Sequence, residues 1–254
     1  LKNLDVEDNE LNDISALKNM TSLTELHLDN NKLSNNNILD IVGLVNLKTL
    51  YLKNNKNISD INALEGLKSI EALELKNMNI SDISVLKKLP NLRRLVVDGN
   101  PLAKNYLDII KVLNINTGYL GEITKEDFEW LKEYASRATI AEATLNENKQ
   151  REFTFTKLPI TVEVKKSQIK DGKVTFENPL KDWENMGAFL DNDKDIPTEL
   201  EISADGESLI VEIGNDKSKT LKYDINIEDY NHEFEGRPAN IHGTVELTIK
   251  VIDE

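Results

Sequence analysis

The sequence contains no cysteine. That excludes disulfides, thiolate metal sites and cysteine nucleophiles. It assigns no compartment, since exported bacterial proteins often lack cysteine too. Histidine is scarce, with only His27, His232 and His242. None of them stands in a His-Glu-x-x-His frame, and the chain has neither a Gly-x-Ser-x-Gly elbow nor a glycine-rich phosphate loop. Basic residues are outnumbered, 31 against 45 acidic ones, for a formal net charge of -14. Such a surface repels phosphate backbones and anionic lipid, so neither nucleic acid nor a membrane surface is the expected partner. No stretch approaches the roughly 20 apolar residues that a spanning helix needs, so no membrane insertion is expected of this segment. No secretory leader is recognisable at Leu1 and no sorting signal near Glu254. The chain opens inside a repeat and without a starting Met, which reads as a piece of a longer protein. Leu1 is then expected at an open end of a stack, with an unpaired strand edge.

What the chain does have is a repeat. Leu1, Leu23, Leu47, Ile70 and Leu92 start successive frames, so the period runs 22, 24, 23 and 22 residues. Leucine-rich repeats have periods of about 20–29. Within a frame, alternation such as Leu26-His27-Leu28 puts two apolar side chains on one face of a short strand. Parallel stacking merges those faces into one core. An asparagine ends each strand, at Asn9, Asn31, Asn55 and Asn100, where its amide can satisfy backbone groups left unpaired. Met78 interrupts this column, leaving Asn77 or Asn79 to replace it, or a looser turn.

The second half of the frame recurs as well. Leu11-Asn12-Asp13-Ile14-Ser15-Ala16-Leu17, Asn57-Ile58-Ser59-Asp60-Ile61-Asn62-Ala63-Leu64 and Asn79-Ile80-Ser81-Asp82-Ile83-Ser84-Val85-Leu86 match one another. Ser and Asp are good N-caps for a short helical turn. So short a period favours 3₁₀ turns over full helices on the convex side.

The run Ile80-Ser81-Asp82-Ile83-Ser84-Val85-Leu86, followed by Leu89-Pro90-Asn91-Leu92, resembles the repeat of internalins, surface proteins of Gram-positive bacteria. The resemblance covers residues 1–113 by motif and the rest by architecture alone. It implies a non-enzymatic protein, secreted or held at the cell surface, with repeats rigidly coupled to an immunoglobulin-like domain.

Beyond Asn100-Pro101-Leu102 the repeat stops. Tyr106–Leu113 has helical spacing and reads as the capping helix, and 114–121, with two glycines, as a loop. Thr124, with Asp127 three residues on, resembles a helix start, and Phe128, Leu131, Tyr134 and Ala135 continue it toward residue 145. From Arg151 the apolar period becomes two, in seven segments that suggest short antiparallel strands. Lys170-Asp171-Gly172-Lys173 and Ala204-Asp205-Gly206-Glu207 are hairpin signals. The expected fold is thus a leucine-rich-repeat solenoid with a helical cap over residues 1–113, a loop and linking helix over 114–150, and an immunoglobulin-like antiparallel β-sandwich over 151–254.

Candidate chemistry is thin. His232 and His242 could meet across a hairpin, but an ordinary exposed loop suits them better. Asp191-Asn192-Asp193-Lys194-Asp195 resembles the start of a calcium loop, yet Ile196 stands where that loop needs glycine. Trp183 and Phe189 suit a small core under the segment 178–198. No catalytic residue, metal or cofactor is expected.

The residues between the strand leucines face away from the core, onto the concave side. They read Asp5, His27, Tyr51, Glu74 and Val96, flanked by Asn3, Glu25, Thr49, Ala72 and Arg94 on one side and Glu7, Asp29, Lys53, Lys76 and Asp98 on the other. A mixed patch around a tyrosine suits protein recognition. The candidate binding residues are therefore Glu25, His27, Asp29, Thr49, Tyr51, Lys53, Glu74, Lys76, Arg94 and Val96. Internalins bind host proteins through this face, so the resemblance implies a protein ligand, with a host cell-surface protein as one candidate. A glycan is less favoured, because Tyr51 alone offers a ring for sugar stacking. Two readings stay open: a binding module, or a structural spacer or scaffold without its own ligand.

Overall fold

The computed structural model describes residues 1–113, 115, 117–136, 151–180, 188–189, 197–203, 207–228 and 239–253. They form two compact units, Leu1–Gly121 and Glu122–Glu254.

In the first unit, strands β1 (Asn3–Asp5), β2 (Glu25–His27), β3 (Thr49–Tyr51), β4 (Ala72–Glu74) and β5 (Arg94–Val96) pair in parallel and in register. Leu26, Leu50, Leu73 and Leu95 align as a buried row behind the sheet. The convex side carries 3₁₀ turns at Ser15–Asn19, Asn62–Gly66 and Ser84–Lys88. The 24-residue frame instead forms one α-helical turn, α1 (Asn35–Ile38), whose start is fixed by Asn37 Oδ1 accepting from the Ser34 amide and hydroxyl. The aspartates do not sit at the N-cap as expected. Ile14, Ile61 and Ile83 hold that position, and Asp13, Asp60 and Asp82, one residue earlier, accept from the first N–H of each turn at 2.9, 2.8 and 2.8 Å. The shift lets the isoleucine point into the core while the carboxylate still satisfies an orphan donor.

The asparagine column works from inside the stack. Asn55 is 0% exposed. Its Nδ2 donates to the Leu28 and Leu52 carbonyls, and its Oδ1 accepts from Leu33 N. Asn31 and Asn100 make the equivalent bonds. At Met78 the backbone compensates: Ile58 N, which would look for an asparagine oxygen there, donates to Asn55 O at 3.1 Å. Asn77 instead joins a second column at the outer corner. There Asp8, Asn30, Asn54 and Asn77 all have positive φ, and Gly99 ends the series at φ 73. These residue types tolerate the left-handed conformation.

The cap differs from expectation in one element. The helix α2 (Tyr106–Ile110) buries Tyr106, Leu107, Ile109 and Ile110 over the last repeat. The segment read as a loop holds strand β6 (Thr117–Glu122), which extends the parallel stack through Arg94↔Thr117 and Val96↔Tyr119. An uncovered β5 would leave a row of unpaired backbone groups, and β6 supplies their partners. Gly118 stands opposite Leu95, so no side chain there announces the strand by its periodicity.

The second unit opens with α3 (Lys125–Ser136). Thr124 caps it as expected, its Oγ1 accepting from Asp127 N and donating to Asp127 Oδ2. The expected continuation past Ser136 lies outside the described residues. One sheet joins β7 (Arg151–Lys165), β8 (Lys173–Glu177), β9 (Ala188–Phe189), β10 (Leu200–Ile202), β11 (Ser208–Glu212), β12 (Ser218–Glu228) and β13 (Ala239–Ile252) only in part: the unit's strands divide into two sheets, ordered β7-β13-β12-β9 and β10-β11-β8. The smaller is wholly antiparallel. The larger is not, because β7 runs parallel to β13 over most of its length. Alternation reports which face is buried but not which way a neighbour runs, so this direction was invisible in the sequence. The Lys170–Lys173 signal forms a tight turn, with Asp171 at φ 50 and Gly172 at φ 77. The second signal lies mostly outside the described residues, and the strands flanking it, β10 and β11, pair with each other. Phe128 of α3 meets Phe155 of β7 edge-on at 5.8 Å, both fully buried.

Candidate functional site

The concave sheet of the first unit sets its side chains in columns, because each strand has only three residues and all register in parallel. His27 and Tyr51 are direct neighbours on β2 and β3. Their rings stack with centroids 4.6 Å apart and planes 23° from parallel. Two carboxylates clamp the imidazole: Glu25 Oε1 lies 2.9 Å from Nε2, and Asp5 Oδ2 lies 3.8 Å from Nδ1. The clamp fixes the ring over the tyrosine. Both rings remain partly open to solvent.

The candidate residues divide into two groups. Glu25, His27, Thr49, Tyr51 and Lys53 are partly exposed and adjacent on β2, β3 and the turn after β3. The others have internal work. Val96 is 4% exposed and belongs to the core edge. Lys76 Nζ binds Asp98 Oδ2 at 2.8 Å, and Asp98 is 7% exposed. Arg94 Nη1 lies 3.6 Å from Glu74 Oε2, and its guanidinium stands 5.8 Å over the Tyr119 ring. Arg94 Nη1 and Asp98 Oδ1 are buried atoms without a hydrogen-bond partner among the described residues. Tyr119 went unread in the sequence because its strand did.

Asp29 is 5% exposed, and its Oδ1 accepts from Lys53 N at 2.7 Å. Burial pushes its carboxyl up to about 6; the Lys53 amide opposes this, while Glu74 and Glu7 add to it. Burial and the neighbouring carboxylates thus favour the protonated form of this side chain.

One grouping escaped the sequence reading altogether. Asp5, Glu7 and His27 bring three potential ligand atoms within 4.8 Å of one another. Nitrogen and carboxylate oxygen together are donors that suit zinc. Asp5 and His27 lie on paired strands 22 residues apart in sequence, with Glu7 just past the first of them, so no local spacing announces the trio. His232 and residues 191–195 lie outside the described residues, and His242 stands within β13, opposite Asn226 and Thr154. Among the described residues, no helix is long and apolar enough to cross a membrane.

No protein-family model matches the chain, and neither does any curated protein. Among solved structures it is similar to internalin C2 of Listeria monocytogenes, at 30% identity over 45% of this chain and 49% of that one, with a TM-score of 0.42. It is also similar to a second internalin of the same species, at 30% identity over 64% of this chain and 43% of that one, with a TM-score of 0.48. Listeria monocytogenes InlP aligns over 99% of this chain and 67% of that one, at 11% identity and a TM-score of 0.47. The chain thus spans about half the length of the first two, 49% and 43%. With frames of 22 to 24 residues, in-register parallel strands and 3₁₀ turns, two of them opened by Ile-Ser-Asp-Ile, the chain is an internalin-like leucine-rich-repeat protein.

Proposed function

We propose that the chain is a non-enzymatic binding module that recognises a partner protein through the concave face of its repeats, with Tyr51 as the central anchor. The observation that carries this reading is the Tyr51–His27 stack, an aromatic pair held partly open on a largely polar sheet face. Aromatic residues at the centre of a patch dominate protein interfaces, because surrounding contacts exclude water from them. An aromatic pair has no evident task for the core here, since the leucine row lies on the other side of the sheet.

The second unit is proposed to be an immunoglobulin-like β-sandwich. Each of its sheets buries alternate residues, Leu209 and Val211 on one, Val245, Leu247 and Ile249 on the other. Pro159, Ile160 and Val162 of β7 line one cleft together with Phe176 of β8. Export to the cell surface, and a host protein as partner, belong to the same proposal and rest on the resemblance of the repeats to internalins. The alternative, a spacer without its own ligand, gains support only if the concave face proves inert.

The test is capture of a partner from cell-surface extracts by the full chain. Tyr51→Ala is compared with Lys250→Glu, an exposed change on β13 of the second unit. Loss with Tyr51→Ala alone supports the concave face; loss with Lys250→Glu alone moves recognition to the second unit.

A further inference from the structure

We propose that the part of the concave face on β1, β2 and β3 docks a basic segment of its partner, with an arginine side chain laid over the Tyr51–His27 stack. The inference rests on the concave-face reading above and adds the chemistry of the ligand.

Charge is the first argument. Around the stacked pair stand Asp5, Glu7, Glu25 and Asp29, and among the columnar positions 3, 5, 7, 25, 27, 29, 49, 51 and 53 the one lysine or arginine is Lys53. The cations of the next two strands are engaged within the protein. Lys76 neutralises the buried Asp98, and Arg94 faces Glu74 and Tyr119. Negative charge therefore remains in excess on the β1 and β2 side of Tyr51. Burial, with Glu74 and Glu7, raises the proton affinity of Asp29 against the opposing amide and charge of Lys53.

Shape is the second argument. A guanidinium is planar, stacks on aromatic faces, and hydrogen-bonds carboxylates through a fixed fork. The stack offers a ring face with carboxylates at its rim. The protein already makes such a contact on this sheet, where Arg94 lies over Tyr119 beside Glu74. A lysine can satisfy the carboxylates but lacks the flat contact, and an acidic segment meets repulsion. Because Glu25 and Asp5 hold His27 in place beforehand, little order need be imposed on binding.

The experiment titrates the full chain with blocked tetra-arginine, tetra-lysine and tetra-glutamate peptides, followed by NMR shifts of backbone amides. Tetra-arginine is expected to perturb residues of β1 to β3 at lower concentration than tetra-lysine, and tetra-glutamate to leave them unmoved. Asp5→Asn/Glu7→Gln/Glu25→Gln should weaken the arginine peptide about tenfold or more. A control, Glu163→Gln/Glu201→Gln on exposed positions of the second unit, should not. Melting curves check that the triple variant is folded. Binding that maps elsewhere, or survives the triple substitution, overturns the inference. So does a trio that takes up zinc while tetra-arginine leaves these strands unmoved. The concave-face reading falls separately, only if a captured partner is indifferent to Tyr51→Ala.

Discussion

His27 and Tyr51 sit side by side on adjacent parallel strands, with ring centroids 4.6 Å apart. Parallel register alone would allow the two rings to splay. Glu25 opposes this through its 2.9 Å contact with Nε2, and Asp5 Oδ2 lies 3.8 Å from Nδ1 on the other side of the ring. The stack should therefore be measurable as a coupling. In a double-mutant cycle with His27→Ala and Tyr51→Ala, stability is expected to show an interaction of about 0.5–1 kcal/mol. An additive cycle would mean that the rings merely lie near each other.

Asn55 should matter far more to folding. Its truncation strands two carbonyls and the Leu33 amide inside the stack. Asn55→Ala is expected to cost about 3 kcal/mol, lowering the melting temperature of the repeats by roughly 10 °C. Met78→Asn should change stability much less, because the Ile58 amide already has the Asn55 carbonyl. Calorimetry on both variants compares the two positions directly.

Asp29 gives the repeats a signed pH dependence. Its folded carboxyl titrates at about 6, against an ordinary value of 3.8. The folded state thus keeps a proton that the unfolded chain releases between these values. This contribution to stability is greatest below about pH 4, falls as pH rises to about 6, and is flat above. Asp29→Asn keeps an acceptor for the Lys53 amide without the buried charge. Urea denaturation at pH 7 should find it more stable, by roughly 2–3 kcal/mol at most, at about 1.4 kcal/mol for each pH unit of displacement. The gain should shrink toward pH 4.

Gly243 is the tight point of the second unit. A Cβ there would lie 2.4 to 2.5 Å from atoms of the Phe155 ring, where the register of β13 against β7 shifts. The ring cannot retreat, being packed edge-on against Phe128. Gly243→Ala is expected to cost about 2–3 kcal/mol by overpacking. The melting of the repeats should be unchanged, which a two-transition calorimetric trace would reveal.

The repeat was legible because its signal is periodic and local. Five leucine frames and the Ile-Ser-Asp-Ile runs give strand, turn and inward face without any long-range fact. What the sequence hid is non-local. Strand β6 has Gly118 at its core position, so pairing with β5 rather than side-chain alternation makes it a strand. The parallel union of β7 and β13 lies between segments about 90 residues apart, and period two carries no direction. At the site, the columns followed from register, but the division of labour did not. Lys76 and Arg94 look free in a list of concave residues, and only geometry ties them to Asp98 and Glu74. The Asp5–Glu7–His27 trio is likewise assembled by stacking.

Recognition through the concave face is tested most directly by the affinity of a captured partner for the wild-type chain and for Tyr51→Ala, measured by isothermal titration calorimetry under identical salt. Tyr51 lies on the third strand of the stack, where contacts can surround it. The expected loss is more than about 2 kcal/mol, roughly thirtyfold in Kd, while the variant stays folded, its melting temperature lowered by only the few degrees that the lost ring stack accounts for. Equal affinity for the two proteins would contradict recognition through the concave face.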